Sequence, residues 1–339
     1  MDQWDQVDRA ERAAQGRRAA ERLATASVVG VALTWVDTGG IARVKAVPTA
    51  ALARAAAWGV GATPVFDFFL PDDSITTGRY SGGPTGDLLL LPDLARLVPL
   101  AAQPGWAWAP VDRWTQEGDR HPQCSRALVA RLTERLGAAG LTAWLAFEVE
   151  WVLDAGSGDE VVPAMVGPAY GMTRLIAGIL SRLPALLAIG APSVASYQRL
   201  VPSHWAGVFG CWGQENREAA VPEAANVEVK CVDATANPYL LVAALLACGM
   251  AGIEHGATLP EPVDVDPASW SDDELAARGV TRLPQRLDDA VAAFVVDPVL
   301  AEAFGPELAD TVVAVRRAEI ERFASAGPEE IVRASRWAH

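Results

Sequence analysis

The stretch Asn237-Pro-Tyr-Leu-Leu-Val-Ala-Ala-Leu-Leu-Ala-Cys-Gly-Met250 constrains the fold more than any other part of this chain. It is apolar on nearly every side of a helical projection, which predicts a helix buried all round. Asn237 is a natural N-cap, and Pro238 suits the first helical position, where a missing N–H costs nothing. Upstream, Asn226-Val-Glu-Val-Lys-Cys-Val-Asp233 alternates apolar and polar side chains, the pattern of a half-buried strand. Taken alone, this stretch reads equally well as an ordinary strand–helix corner or as part of a site with charged groups on one face.

The 339 residues carry a formal net charge of −14, which argues against nucleic acid or an anionic membrane as partner. The first residues lack the basic-then-apolar order of a signal peptide, and no apolar run reaches membrane-spanning length. Cys124, Cys211, Cys231 and Cys248 are scattered without a Cys-x-x-Cys spacing. They are expected to be reduced, buried fillers of a cytoplasmic protein rather than reactive thiols.

The chain divides into two blocks. Residues 3–25 predict an amphipathic helix. Strands over 27–36 and 41–47 meet at the Gly-rich turn Asp37-Thr-Gly-Gly40, and an Ala-rich helix runs to about Trp58. Further strands are expected at Asp87–Leu94 and Trp106–Val111, with a loop at Arg79–Gly86 between the N-terminal elements. A polar, turn-rich boundary at 116–123 precedes a helix over Ser125–Gly137, placing one domain at 1–120 and a second at 121–339. The second block predicts a strand over Ala143–Leu153, a helix over Leu175–Ile189 kinked at Pro184, and a long final helix from about Ala309 to Ser325.

Four segments are identified as resembling the glutamine synthetase family, and they occur in that family's order. They are Phe147-Glu148-Val149-Glu150; Ser196-Tyr197-Gln198-Arg199-Leu200-Val201-Pro202; Trp212-Gly213-Gln214-Glu215-Asn216-Arg217; and Glu228-Val229-Lys230 leading to Asn237-Pro238-Tyr239-Leu240. Their wording resembles the actinobacterial, γ-glutamyl-amine ligase branch. The resemblance implies an α+β fold: a small β-grasp-like N-terminal domain and a larger α/β catalytic domain, here with an incomplete sheet. It also implies ATP and Mg²⁺ (or Mn²⁺) as cofactors, small acid and amine substrates, and a ring-type homo-oligomer or co-assembly with a paralogue.

Amide formation from a free carboxylate needs activation by ATP, and phosphoryl transfer is mainly a matter of positioning and charge stabilisation. Glu148 and Glu150 sit two apart on a predicted strand, so both face one way while Phe147, Val149 and Trp151 face the other. That pattern fits cation ligation or a solvated strand face. The resemblance selects the first and adds Glu228 as a third metal ligand. It also implies that Arg199 and Arg217 hold substrate carboxylate and transferred phosphate as catalytic groups, with Asn216 beside the substrate. Lys230 and Arg217 are implied on the nucleotide side.

Two departures stand out. Only 45 residues separate Glu150 from Ser196. In the family, the remaining metal ligands lie on a segment between these motifs. Here the flanks of that segment meet at Met172–Thr173, so roughly a quarter of a typical chain is missing there. A smaller gap falls at Val221–Pro222. His121, His204, His255 and His339 are the only histidines, and none has a ligand-like context. The second departure is Trp205, which stands where ammonia-using members carry an acidic residue; indole in place of carboxylate removes a cation partner and adds an aromatic wall. The expectation is a ligase for glutamate, or a similar acid, and an amine larger than ammonia. The alternatives are a non-catalytic structural or regulatory subunit, or a destabilised remnant.

Overall fold

The computed structural model describes residues 6–81, 86–148, 173–214, 216–223, 227–336 and 338. They form two compact units. The first takes in Met1–Arg131, Asn237–Ala243 and Ala301–His339, and the second Leu132–Ala236 and Ala244–Leu300.

In the first unit, α1 (Gln6–Thr25) leads into β1 (Gly30–Val36) and β2 (Ala42–Pro48), an antiparallel hairpin closed at Asp37–Gly40. α2 (Leu52–Trp58) follows, then β3 (Val60–Ala62), β4 (Leu88–Pro92), β5 (Val98–Pro99) and β6 (Trp106–Trp114). The sheet order is β2-β1-β6-β4-β3, with β5 on the side of β6. β1 and β6 run parallel, whereas β4 pairs antiparallel with the far end of β6, so one long strand serves two sets of partners. Alternation places Val31, Leu33 and Trp35 on the covered face, where they pack with Leu23, Leu52, Leu90, Ala107 and Ala109. Gly30 has Trp106 lying on it: a Cβ there would come within 2.9 Å of the indole.

The apolar stretch after Asn237 forms α7 (Pro238–Glu254), and its cap is built as expected. Asn237 Oδ1 accepts from the Tyr239 and Leu240 amides at 3.0 and 3.2 Å, while its Nδ2 donates to the Val36 and Asp37 carbonyls. The cap residue thus also ties the helix start to the end of β1. α3 runs Ser125–Ala138.

In the second unit, the predicted helix over 175–189 is two helices, α4 (Thr173–Leu180) and α5 (Leu183–Gly190), with Pro184 in the first turn of α5. A ring that cannot donate an amide bond is accommodated there at no loss. α6 (Ser196–Arg199) is a single turn. β7 (Phe209–Gln214) lies between β8 (Ala219–Glu223) and the two-residue β9 (Thr281–Arg282), a three-stranded sheet. α8 (Asp272–Ala277) begins with a capping box of Ser271 and Glu274, and α9 spans Leu287–Val296.

The final helix begins earlier than expected. α10 spans Pro298–Arg322 and contains a non-helical Gly305 (φ 73°, ψ 165°) just before Pro306, so two helices meet at that point. A last helix, α11 (Pro328–Ser335), was not anticipated. No described helix is long and apolar enough to cross a membrane.

Two strand expectations are corrected. Over its described part, the expected strand Ala143–Leu153 is irregular: residues 141–148 have no regular structure, and Trp144 is 93% exposed. No described strand pairs with it, and a lone strand has no ladder to hold it. Over its described part, 227–233, the expected strand 226–233 is only a bridge at Val227, followed by turns. The Arg79–Gly86 loop is irregular where described, and residues 82–85 lie outside the described set.

Candidate functional site

Three of the four segments converge in the second unit. α6 ends at Arg199, whose Nη2 donates to the carbonyls of Lys230 (3.2 Å) and Val232 (2.9 Å). Ser196 Oγ lies 3.5 Å from Thr235 Oγ1. Asp233 turns back on itself, its Oδ1 accepting from both the amide and the hydroxyl of Thr235 (2.9 and 2.6 Å). These bonds explain why 228–233 is not a strand: an Asx turn and an arginine occupy groups that a ladder would need. The Lys230 amide in turn donates to the Ala220 carbonyl of β8 at 3.0 Å. Gly207 (φ 64°) passes between them, and a Cβ there would lie 3.0 Å from both Ala220 Cα and Lys230 Cβ. A side chain there would be strained by the left-handed backbone and would press on both neighbours.

Lys230 and Glu228, two apart on the chain, face each other: Nζ donates to Glu228 Oε1 at 2.8 Å. The expected nucleotide-side cation and the expected metal ligand therefore neutralise one another. Arg217 is exposed and has no ion pair or hydrogen bond from its side chain among the described residues. Asn216 is half-buried and largely committed to the chain, donating from Nδ2 to the Val263 and Val265 carbonyls (2.8 and 3.0 Å) and accepting from the Glu218 amide (3.1 Å). Trp205 is 68% exposed with φ 56°.

Glu148 is exposed and belongs to the irregular segment; Glu150 lies outside the described residues. Among the described residues no three His, Cys, Asp or Glu side chains gather as a metal site. Glu148, exposed on an irregular segment, and Glu228, already paired with a cation, do not by themselves supply the several hard oxygen ligands that a divalent ion requires at once. The four cysteines are free and buried. Burial pushes the thiols of Cys211 and Cys231, both inside these segments, up to about 12, which leaves them unreactive fillers.

Two residues were overlooked in the sequence. Glu218 is buried, and its carboxylate accepts from the Ser203 amide (Oε2, 3.2 Å) and the Trp205 amide (Oε1, 2.6 Å). Asp266 Oδ2 accepts from Ser203 Oγ at 3.2 Å. A signal for Glu218 was present: it leads directly into the apolar run Ala219-Ala220-Val221, and a glutamate drawn into a core with such a run needs dedicated donors.

Residues 163–333 match the family described as "Glutamine synthetase, catalytic domain". The γ-glutamylpolyamine synthetase GlnA3 of Streptomyces coelicolor is 40% identical over 437 aligned positions, covering 91% of this chain and 93% of the relative. That alignment is longer than the chain itself, so it carries long gaps on this side. Glutamine synthetase of Methanocaldococcus jannaschii is 36% identical over 170 residues, 47% of this chain and 37% of the relative. Among solved structures, "GmaS/ADP complex-Conformation 1" superposes with a TM-score of 0.72 at 19% identity, covering 94% of this chain and 99% of that one. "Crystal structure of novel glutamine synthase homolog" gives 0.72 at 23%, covering 92% and 99%. The fold is thus the α+β fold of these proteins, and the chain belongs to the glutamine synthetase family. By family it is an ATP-dependent carboxylate–amine ligase, and its Streptomyces relative, matched along nearly the whole of both chains, is named for polyamines rather than for ammonia.

Proposed function

We propose that this chain descends from, and retains the amine side of, a ligase that joins the γ-carboxylate of glutamate, or a similar acid, to an amine larger than ammonia. In this reaction a carboxylate oxygen attacks the γ-phosphorus of ATP and ADP leaves. The amine nitrogen then attacks the acyl phosphate, inorganic phosphate leaves, and the nitrogen gives up a proton to form the amide. The observation that carries the reading is the exposed indole of Trp205 in a loop anchored to the segment of Arg217. An aromatic face attracts an alkylammonium and packs its methylenes, whereas a carboxylate at that position favours the small ammonium ion. The name of the Streptomyces relative supports the same direction.

Within this reading Arg199 and Arg217 face the acid and the phosphate, and Asn216 fixes the backbone that presents Arg217. Lys230 offsets phosphate charge once it exchanges its bond to Glu228. No step is assigned to a metal ion, because the described residues do not build its site. A homo-oligomer and the two-domain division at 120/121 belong to the same proposal.

The test is inorganic phosphate release from ATP with glutamate and a panel of amines. Release with 1,4-diaminobutane exceeding that with ammonium supports the reading; ammonium as the best acceptor overturns it. The pairing of Glu228 with Lys230, and the lack of a metal-ligand cluster among the described residues, favour one second reading, a non-catalytic synthetase-like subunit. It predicts assembly with a paralogue and no amine-dependent release at all.

A further inference from the structure

Ser203 and Trp205 both stand in the left-handed region (φ 60° and 56°), with a single residue between them. L residues with side chains avoid this region because Cβ crowds the backbone, and a loop holding two of them needs outside support. Both backbone amides are held by one group, while Asp266 takes the Ser203 hydroxyl. The Glu218 side chain, in a residue 6% exposed, spends both oxygens on this loop, at 3.2 Å to the Ser203 amide and 2.6 Å to the Trp205 amide. A buried carboxylate requires such donors, and charge-assisted bonds to backbone amides are among the stronger ones.

Glu218 is itself held. Its amide donates to Asn216 Oδ1, and Asn216 donates to the Val263 and Val265 carbonyls; Asp266, just beyond, accepts from Ser203 Oγ. The next residue, Ala219, begins β8, and Ala220 accepts from the Lys230 amide. The clamp thus refers the loop to the strand after Arg217.

We infer that Glu218 is a positioning residue: its carboxylate holds the Pro202–Trp205 loop in its left-handed form and so fixes the backbone that carries Trp205. That this sets selectivity for larger amines rests on the proposed role of Trp205 as the amine-facing wall.

Two measurements separate the clamp from its effect on selectivity. Hydrogen exchange at the Trp205 amide is followed in the full chain as wild type, Glu218→Gln and Glu218→Gln with Ser203→Gly. A glutamine accepts at one oxygen only and turns a donor toward the other amide. The clamp predicts exchange at least about tenfold faster in E218Q, with most of that increase removed by S203G, because glycine adopts the left-handed form unaided. If E218Q alone does not fold, Glu218→Asp carries the same test: its shorter carboxylate keeps the charge but cannot reach both amides, so the clamp predicts faster exchange at the Trp205 amide, and unchanged exchange overturns it. Unchanged exchange in a folded E218Q variant overturns the clamp.

Calorimetric binding of 1,4-diaminobutane decides the effect on selectivity. Trp205→Ala and E218Q should each weaken it about tenfold or more. Loss in W205A but not in E218Q removes Glu218 from selectivity. Retention in W205A, or no binding by the wild type, removes the amine reading while leaving the clamp to the exchange result.

Discussion

Asp37 and Asp67 are both fully buried carboxylates of the first unit, and their environments drive them in opposite directions. For Asp37, burial dominates and raises its pKa to about 6, even though Arg43 donates to it at 2.7 Å and the Ile41 amide at 2.9 Å. Arg43 is shared with Asp73, at 2.5 Å, which dilutes its help. For Asp67, burial also pushes upward, but the Arg113 guanidinium, bonded to both oxygens at 2.6–2.7 Å, and His121 at 3.5 Å hold the carboxyl below its usual range.

The signs of their stability contributions therefore differ. A raised folded pKa means the folded state binds the proton more tightly, so the Asp37 contribution is full below about pH 4 and is lost as pH rises through about 6. Asp67 contributes above the ordinary carboxylate pKa, and that contribution is lost as pH falls. Urea unfolding of Asp37→Asn and wild type across this window should show their difference shifting toward the variant as pH rises. The shift is bounded by about 3 kcal/mol, from about 1.4 kcal/mol per pKa unit. A difference independent of pH contradicts the assignment. The burial of Asp67 was not legible, since its partners Arg113 and His121 lie far along the chain from it.

At the scale of elements, local signals were readable wherever the segment satisfies its own backbone. Asn237-Pro238 starts α7 as a cap–proline pair, the Asp37–Gly40 turn joins β1 to β2, and Ser125 opens α3. The failures are strands, whose bonds lie elsewhere. The pattern Asn226–Asp233 alternates correctly, yet Arg199, well upstream in the chain, takes the carbonyls that a neighbouring strand would have used. The Ala143–Glu148 segment is an apolar run ending at Glu148, and no described strand meets it.

Helix packing gives the sharpest element-scale expectation. α4 and α7 touch through glycines: a Cβ on Gly252 would lie 2.6 Å from Gly178 Cα and closer still to the Arg174 carbonyl oxygen, and a Cβ on Gly178 would run into the Cys248 carbonyl. Gly137 in α3 has nothing within 4 Å of such a Cβ. Gly252→Ala should therefore destabilise by about 1–3 kcal/mol or more through overpacking. Gly137→Ala should gain up to about 1 kcal/mol by relieving helix entropy. Thermal unfolding of the two variants checks the contrast, and equal effects would contradict the packing.

For the whole molecule, ancestry was legible and the state of the site only partly so. The order of four short segments pointed to the family now established over residues 163–333 and along 93% of a Streptomyces relative. Arg199, Lys230 and Glu228 are linked by bonds in one unit, and in the same unit the Glu218 carboxylate links Trp205 to the turn that begins at Asn216. Their present bonding was not readable: Glu228 is spent on Lys230, Asn216 on the backbone, and a buried glutamate governs the loop of Trp205. Such pairings depend on side-chain geometry that spacing along the chain does not encode.

On the proposed function, this site descends from acyl-phosphate chemistry directed at a larger amine. Incubation with ATP, 1,4-diaminobutane and glutamate labelled with ¹⁸O in the γ-carboxylate tests it most directly, with mass analysis of the phosphate released. An acyl phosphate predicts one labelled oxygen in each phosphate, appearing in step with the glutamyl amide. Unlabelled phosphate, or amide formation without it, would contradict the account.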